Sequence, residues 1–327
     1  MTINAQRIED TCKVNSSTDL LGQLVTSGKY MVAAKPRHLL DSIKRHGLDD
    51  MIDAVADYND ETLAWEPRQV NPSKAFRRAC MAAQSRVPNI KIDKAREDAY
   101  EITYAISERT VNKDTRKVTY RQVAQVCFLP AEATENFLYD NAHPAVAHIE
   151  SSLAFYRAHL VTDDITVLVN EAMRRSDAIN PSITQGSTRF VPARHAERME
   201  KLRAVLADLG TEPGAPENAG AHLRILDVAN TRNNRATTTD DAQAHFASQV
   251  SELEGQLASL EAAVDEAAKD EDKAGPRAST LDRRMADLAE VAQGVELYAG
   301  LLSFKATDLE GRMGKLKKGF RKIVLGL

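Results

Sequence analysis

Leu281, Met285, Leu288, Ala292, Val295, Ala299, Leu302, Ala306, Leu309, Met313, Leu316, Phe320, Ile323 and Leu327 follow one another at alternating spacings of four and three. A small or apolar residue every 3.5 positions keeps one face of an α-helix turned toward a partner helix, as a coiled coil requires. The same spacing runs upstream through Phe246, Val250, Leu253, Leu257, Leu260, Val264 and Ala267. Between the two seams lies Glu271-Asp272-Lys273-Ala274-Gly275-Pro276. Glycine and proline there end one helix, and Ser279 or Thr280 can cap the next. The pattern predicts an antiparallel coiled-coil hairpin over residues 240–327.

Its arms are unequal. An arm from Asp240 to Asp272, paired about the turn, covers the second arm only to Leu309. Leu309, Met313, Leu316, Phe320, Ile323 and Leu327 then need another surface and are the candidate partner interface. At about 1.5 Å per residue the second arm would reach on the order of 70 Å. From Gly311 onward the chain holds Arg312, Lys315, Lys317, Lys318, Arg321 and Lys322 and no acid. Such a basic amphipathic end suits an acidic partner, an anionic lipid surface or nucleic acid. Gly311, Gly314, Gly319 and Gly326 each cost a helix about 1 kcal/mol, which predicts a tail that folds fully only when docked.

The 327 residues allow two or three domains. A net charge of −4 and a pI near 6.1 speak against wholesale coating of nucleic acid, though local patches survive such averages. Cys12, Cys80 and Cys127 are far apart and form no CxxC pair. That usage suits a reducing compartment and supplies neither a disulfide framework nor a zinc site. No apolar run approaches the ~20 residues that span a bilayer, and the polar start lacks a signal-peptide core. The expectation is a cytoplasmic protein, in a host cytoplasm if viral, with no transmembrane segment.

Residues 1–88 read as an N-terminal helical region. Pro36 opens a helix closed by Gly47, and Asp49–Tyr58 makes a second, a small helix-turn-helix-like pair. A further helix from Ser73 to Arg86 faces Ala75, Phe76, Ala79, Cys80 and Ala83 inward. Arg37, Lys44, Arg45, Arg77 and Arg78 on these helices are candidate contacts to nucleic acid or another anionic surface.

Residues 89–231 read as an α+β domain. Tyr100, Ile102, Tyr104 and Ile106 alternate with polar or small residues, the period of a half-buried strand. The alternation resumes at Val118, Tyr120, Ala124, Val126 and Phe128, broken at Gln122. The basic connection between them, residues 108–117, adds Lys113 to the candidate contacts, as the tail adds Lys315, Lys317, Lys318, Arg321 and Lys322. Helices are expected over Pro144–His159, Asp163–Ile179 and Ala193–Leu209, a loop over Gly210–Gly220, and a further strand of the same sheet over His222–Asn230. The fold class is α+β, helix-rich, with a small antiparallel sheet and the C-terminal hairpin.

Leu21-Gly22-Gln23-Leu24, Ala75-Phe76-Arg77-Arg78-Ala79, Val126-Cys127-Phe128 and Phe190-Val191-Pro192, followed by a charged helix and a coiled coil, give the chain its likeness. Over residues 20–260 this order resembles an uncharacterised family of phage and mobile-element proteins. The resemblance implies that genetic setting and carries over no catalytic or binding residue.

Catalytic signatures are missing: no GxxxxGK[ST], no GxGxxG after a strand, no HExxH, no GxSxG and no EF-hand series. The eight histidines are scattered, and Asp163-Asp164 sits where helix capping explains it. The expected function is a non-catalytic assembly or adaptor protein, without cofactor. It would form a homo-oligomer, or join another protein, through the C-terminal helix. The alternative is a nucleic-acid-binding module using the basic N-terminal helices, the hairpin loop and the basic tail.

Overall fold

The computed structural model describes residues 20–28, 33–98, 100–111, 115–130, 137–181, 187–209, 222–269 and 275–326. In chain order the elements are β1 (Leu20–Ser27), β2 (Ala33–Ala34), α1 (Pro36–Arg45), α2 (Ile52–Val55), β3 (Ala56–Asn59), β4 (Ala64–Pro67) and α3 (Pro72–Arg86). There follow β5 (Ile90–Glu97), β6 (Ile102–Val111), β7 (Val118–Phe128), β8 (Phe137–Tyr139), α4 (Pro144–Ala158), β9 (Leu160–Val161) and α5 (Thr162–Arg174). Last come β10 (Thr188–Pro192), α6 (Ala196–Asp208), β11 (Leu223–Ala229), α7 (Arg232–Lys269), α8 (Ala278–Leu302) and α9 (Thr307–Gly326). The protein is α+β, and its sheets are antiparallel. Its contacts gather into two units that interleave along the sequence. One holds Met1–Gly28, Ala172–Glu200 and Leu223–Leu327; the other holds Lys29–Glu171 and Lys201–His222.

In the second of these units a meander β5-β6-β7-β8 carries α3 and α4 on one face. The period-two pattern decides that face. Ile102, Tyr104 and Ile106 of β6, Ala124, Val126 and Phe128 of β7 and Ile92 of β5 are all buried against the helices. The Phe76 ring of α3 stacks on Phe128 at 5.3 Å and meets Tyr104 edge-on at 5.8 Å. Asn71 caps α3 by accepting from the Lys74 amide at 3.1 Å, and Pro72 occupies the first turn, where no amide is needed. Cys80 lies in this core, and burial pushes its thiol up to about 12, so it is inert. Of the expected helix over Asp49–Tyr58 only Ile52–Val55 is α-helical; Ala56–Asn59 pairs with Ala64–Pro67 as a hairpin. The loop expected over Gly210–Gly220 lies outside the described residues.

The first unit pairs a three-stranded sheet, β10-β1-β11, with α7, α8 and α9. Residues 222–230 were expected to extend the meander. Instead β11 pairs with β1, Leu24 opposite Leu226, in a separate sheet. Gly22 of β1 lies so near the Phe190 ring that a Cβ there would fall 2.5 Å from it, so only glycine fits. Helix α5 stops at Arg174, short of the expected Ile179, and Asp177 takes φ 52°. There the Asp177 carbonyl accepts from the buried Tyr298 hydroxyl at 2.7 Å.

The second arm of the expected hairpin is two helices. Ser303 adopts the left-handed conformation, φ 61° and ψ 38°, ending α8, and Arg235 of α7 donates to the Leu301 carbonyl at 2.9 Å. Asp308 and Glu310 then sit in the first turn of α9, where the helix dipole favours acids. Phe246 packs on Gly294, Arg312 pairs with Glu254, and Gly319 meets Leu257. The numbers therefore fall along α8 and rise along α9 as they rise along α7, so α9 has turned back beside α7.

Candidate nucleic-acid interface

Leu309, Met313, Leu316, Phe320 and Ile323 were expected to face a partner. All five are buried in the core shared by α7, α8 and α9, with Phe320 0% exposed. Burying such side chains stabilises by about 1.5–3 kcal/mol each, an upper estimate that still exceeds the ~1 kcal/mol cost of each glycine in α9. The described part of the tail folds on its own chain, and these five residues leave no open apolar stripe for a partner. Leu327 lies outside the described residues.

The basic residues expected on the N-terminal helices are mostly engaged in the second unit. Arg37 pairs with Asp41 at 3.2 Å. Arg45 and His46 both reach the Asp208 carboxylate, at 2.8 and 2.9 Å, as does the buried Ser42 hydroxyl at 2.8 Å. Burial works to raise the Asp208 pKa, but the hydrogen bonds from Ser42 and His46 outweigh it and hold the carboxyl below its ordinary value. Arg77 pairs with Glu97, and Arg78 and Lys74 grip Asp164 at 2.7 Å each. Lys44 is exposed on α1.

A shallow cleft of about 720 Å³ opens beside α3, lined by Lys74, Arg77, Arg78, Met81, Phe155 and Asp163 among others. Asp163 and Asp164 offset its cations, so it is no anion trap. Among the described residues no group of three or more His, Cys, Asp or Glu side chains is arranged to hold a metal ion. No described helix is long and apolar enough to cross a membrane.

What stays open is the far half of β6–β7. Residues 108–117 were expected to be loop, yet β6 continues to Val111 and pairs across to Val118. The register shifts between Ile106 and Ser107, so that Ile106 faces Ala124 and Ser107 faces Gln122. Val123 is the extra residue, a bulge that bends and twists the strands. Beyond it the pairs Glu108–Arg121, Arg109–Tyr120, Thr110–Thr119 and Val111–Val118 form a two-stranded ribbon. β5 pairs as far as Glu108, the Arg109 amide donates to the Asn89 carbonyl at 2.7 Å, and β8 reaches only Val126, so among the described residues no strand flanks Thr110, Val111, Val118 and Thr119.

Its side chains stand in solvent. Tyr120 is 53% and Val111 48% exposed, and Arg109, Arg116, Lys117 and Arg121 are exposed beside them. Arg121 leans on Glu108 at 3.4 Å, and the Lys91 ammonium lies 5.6 Å from the Tyr120 ring centre. Arg109 fell within the basic connection expected between the strands and Tyr120 within the strand alternation, but Arg121 was not singled out, although the break in alternation at Gln122 marked the bulge. Lys113, at the tip, lies outside the described residues.

A second basic surface belongs to the first unit. Lys315, Lys317, Lys318, Arg321 and Lys322 are exposed on α9, while Arg312 is held by Glu254 at 2.7 Å. Because the apolar side of α9 is buried, this surface offers charge alone. A family model described as "Family of unknown function (DUF6744)" matches residues 20–324. No curated protein and no solved structure matches the chain.

Proposed function

The chain belongs to that family of unknown function, and on that premise we propose that it is a non-catalytic nucleic-acid-binding protein acting through the β6–β7 ribbon. The observation that carries this reading is the two-stranded extension itself, exposed on both faces and bearing Arg109, Arg116, Lys117 and Arg121 around Tyr120. A two-stranded ribbon fits the major groove of a duplex. The cations contact phosphates and set the register, while Tyr120, Val111 and Val118 meet the bases. In this reading α7 and α8 are an antiparallel coiled-coil hairpin that stiffens the first unit. Such a protein suits the cytoplasmic phage or mobile-element setting implied by the sequence resemblance.

Mobility shifts on duplex DNA, single-stranded DNA and RNA across a salt series test the reading. Duplex affinity should fall linearly in log–log form, and R109Q/R116Q/K117Q should flatten the slope by about 2.7, near 0.9 per lost phosphate contact. No shift at low salt with any of the three polymers, or an unchanged slope in the triple variant, sinks it.

A further inference from the structure

Between Arg312 and Val324 the exposed residues of α9 are Gly314, Lys315, Lys317, Lys318, Arg321 and Lys322, with no acid and no apolar side chain among them. Met313, Leu316, Phe320 and Ile323 on the opposite side are buried in the bundle. At ~3.6 residues per turn the cations fan across the whole solvent side of the helix. Lys317 and Arg321, and Lys318 and Lys322, stand four apart, where like charges repel and weaken a helix.

The acids nearby do not relieve this repulsion. Asp308 and Glu310 lie in the first turn of α9, before Lys315. Glu254 of α7 accepts from Arg312 at 3.0 and 2.7 Å, and the Asp308 charge also acts on Arg312. Lys315 lies near enough to Glu254 to help lower its carboxyl pKa, after the Arg312 hydrogen bond, but forms no ion pair with it. Glu261 and Asp265 are exposed farther along α7. Among the described residues, Lys315, Lys317, Lys318, Arg321 and Lys322 have no ion-pair or hydrogen-bond partner for their side chains.

The make-up of this face selects a partner. Protein interfaces are poor in lysine and are anchored by buried aromatic or apolar side chains, and here there are none to offer. A helix that lies in a membrane surface needs its apolar side free, and that of α9 is occupied. A phosphate backbone asks for charge alone. Lys315 to Lys322 spans about 10 Å, one cation per about 2 Å of helix axis, close to the one charge per ~1.7 Å of a nucleic-acid duplex.

We infer that the exposed side of α9 is a second nucleic-acid surface, holding the duplex phosphate backbone without reading its bases. The inference deepens the nucleic-acid reading, and its choice of polymer rests on it. It lies wholly in the first unit and uses no ribbon residue.

Mobility shifts of the full chain on two duplexes of unrelated sequence, across a salt series, test it. K318Q/R321Q/K322Q should flatten the log–log slope by about 2.7, near 0.9 per lost phosphate contact, and by the same amount on both duplexes. K44Q/R86Q, which removes exposed charge from α1 and α3 instead, should leave the slope unchanged, as should K318R/K322R. Circular dichroism checks that each variant is folded. A second arm needs no variant: bound duplex should protect Lys315, Lys318 and Lys322 from acylation, read by mass spectrometry, and leave Lys44 as reactive as in the free chain. R109Q/R116Q/K117Q measured alongside separates the two readings. If it loses slope while the α9 variant does not, this inference alone falls; the converse removes the ribbon and leaves α9. Unprotected α9 lysines overturn the inference, as does an equal slope change in K44Q/R86Q. So does absence of any duplex shift, whether the α9 cations instead carry co-flotation with phosphatidylserine vesicles or self-association of the nuclease-treated chain in sedimentation velocity.

Discussion

Phe246 of α7 lies against Gly294 of α8 so closely that a Cβ on the glycine would come 2.7 Å from the ring. The ring also meets Tyr298 edge-on at 5.6 Å, so it has little room to retreat. Gly294→Ala should lower unfolding stability by about 1–3 kcal/mol through overpacking. Gly314→Ala, where the added methyl meets nothing, should raise it by up to about 1 kcal/mol. Urea unfolding of both variants checks the pair, and equal shifts of one sign would refute the packing described.

Phe320, fully buried in the same bundle, is the direct measure of where the C-terminal seam is sheltered. Phe320→Ala should cost about 3–5 kcal/mol of stability, a loss independent of protein concentration. A variant of unchanged stability, or one whose stability varies with concentration where the wild type's does not, would place Phe320 against another molecule instead.

His245 of α7 has its pKa lowered to about 4, first by burial and then by the nearby Arg189 charge. The unfolded chain takes up that proton near 6.5 and the folded chain does not. Stability from this group is therefore complete above pH 6.5 and is lost as pH falls toward 4. The loss is bounded by about 3 kcal/mol, since each pH interval of one between the two values is worth about 1.36 kcal/mol. Unfolding free energies of wild type and His245→Gln across that range should converge as pH drops.

Asp208 works in a lower window. Its folded pKa lies below 3.8, so its contribution is whole above that value and fades as pH falls through the folded one. Asp208→Ala should cost about 2 kcal/mol or more at neutral pH, because the buried Ser42 hydroxyl loses its carboxylate acceptor and His46 and Arg45 lose their partner. Thermal unfolding at pH 7 and pH 3 checks this, with the variant falling further behind the wild type at the higher pH.

Local patterns carried much of the secondary structure. Alternation at Tyr100–Ile106 and Val118–Phe128 marked β6 and β7, and the inward-facing stripe Ala75, Phe76, Ala79, Cys80 and Ala83 marked α3. The turn at Ser303 was hidden because Leu302, Ala306 and Leu309 keep the four-three spacing straight through it. Periodicity reports which residues are apolar, not whether the backbone between them stays helical. Thr307-Asp308-Leu309-Glu310, a T-x-x-E helix-start signature, was the clue available. The pairing of β1 with β10 and β11 joins residues far apart in the chain, and short strands carry no local mark of their partners. The ion pairs of Arg45, Arg77 and Arg78 were illegible for the same reason: Asp208, Glu97 and Asp164 are brought to them only by folding.

The reversal at Ser303 also decides how the apolar side of α9 competes for partners. With four residues, Ser303 to Ala306, joining it to α8, α9 is presented to α7 at an effective concentration in the millimolar range. An identical helix arriving from solution at micromolar levels meets a seat already taken by a tethered rival. A short tether thus turns a sticky strip of helix into an internal clasp and leaves only its charged back available to visitors.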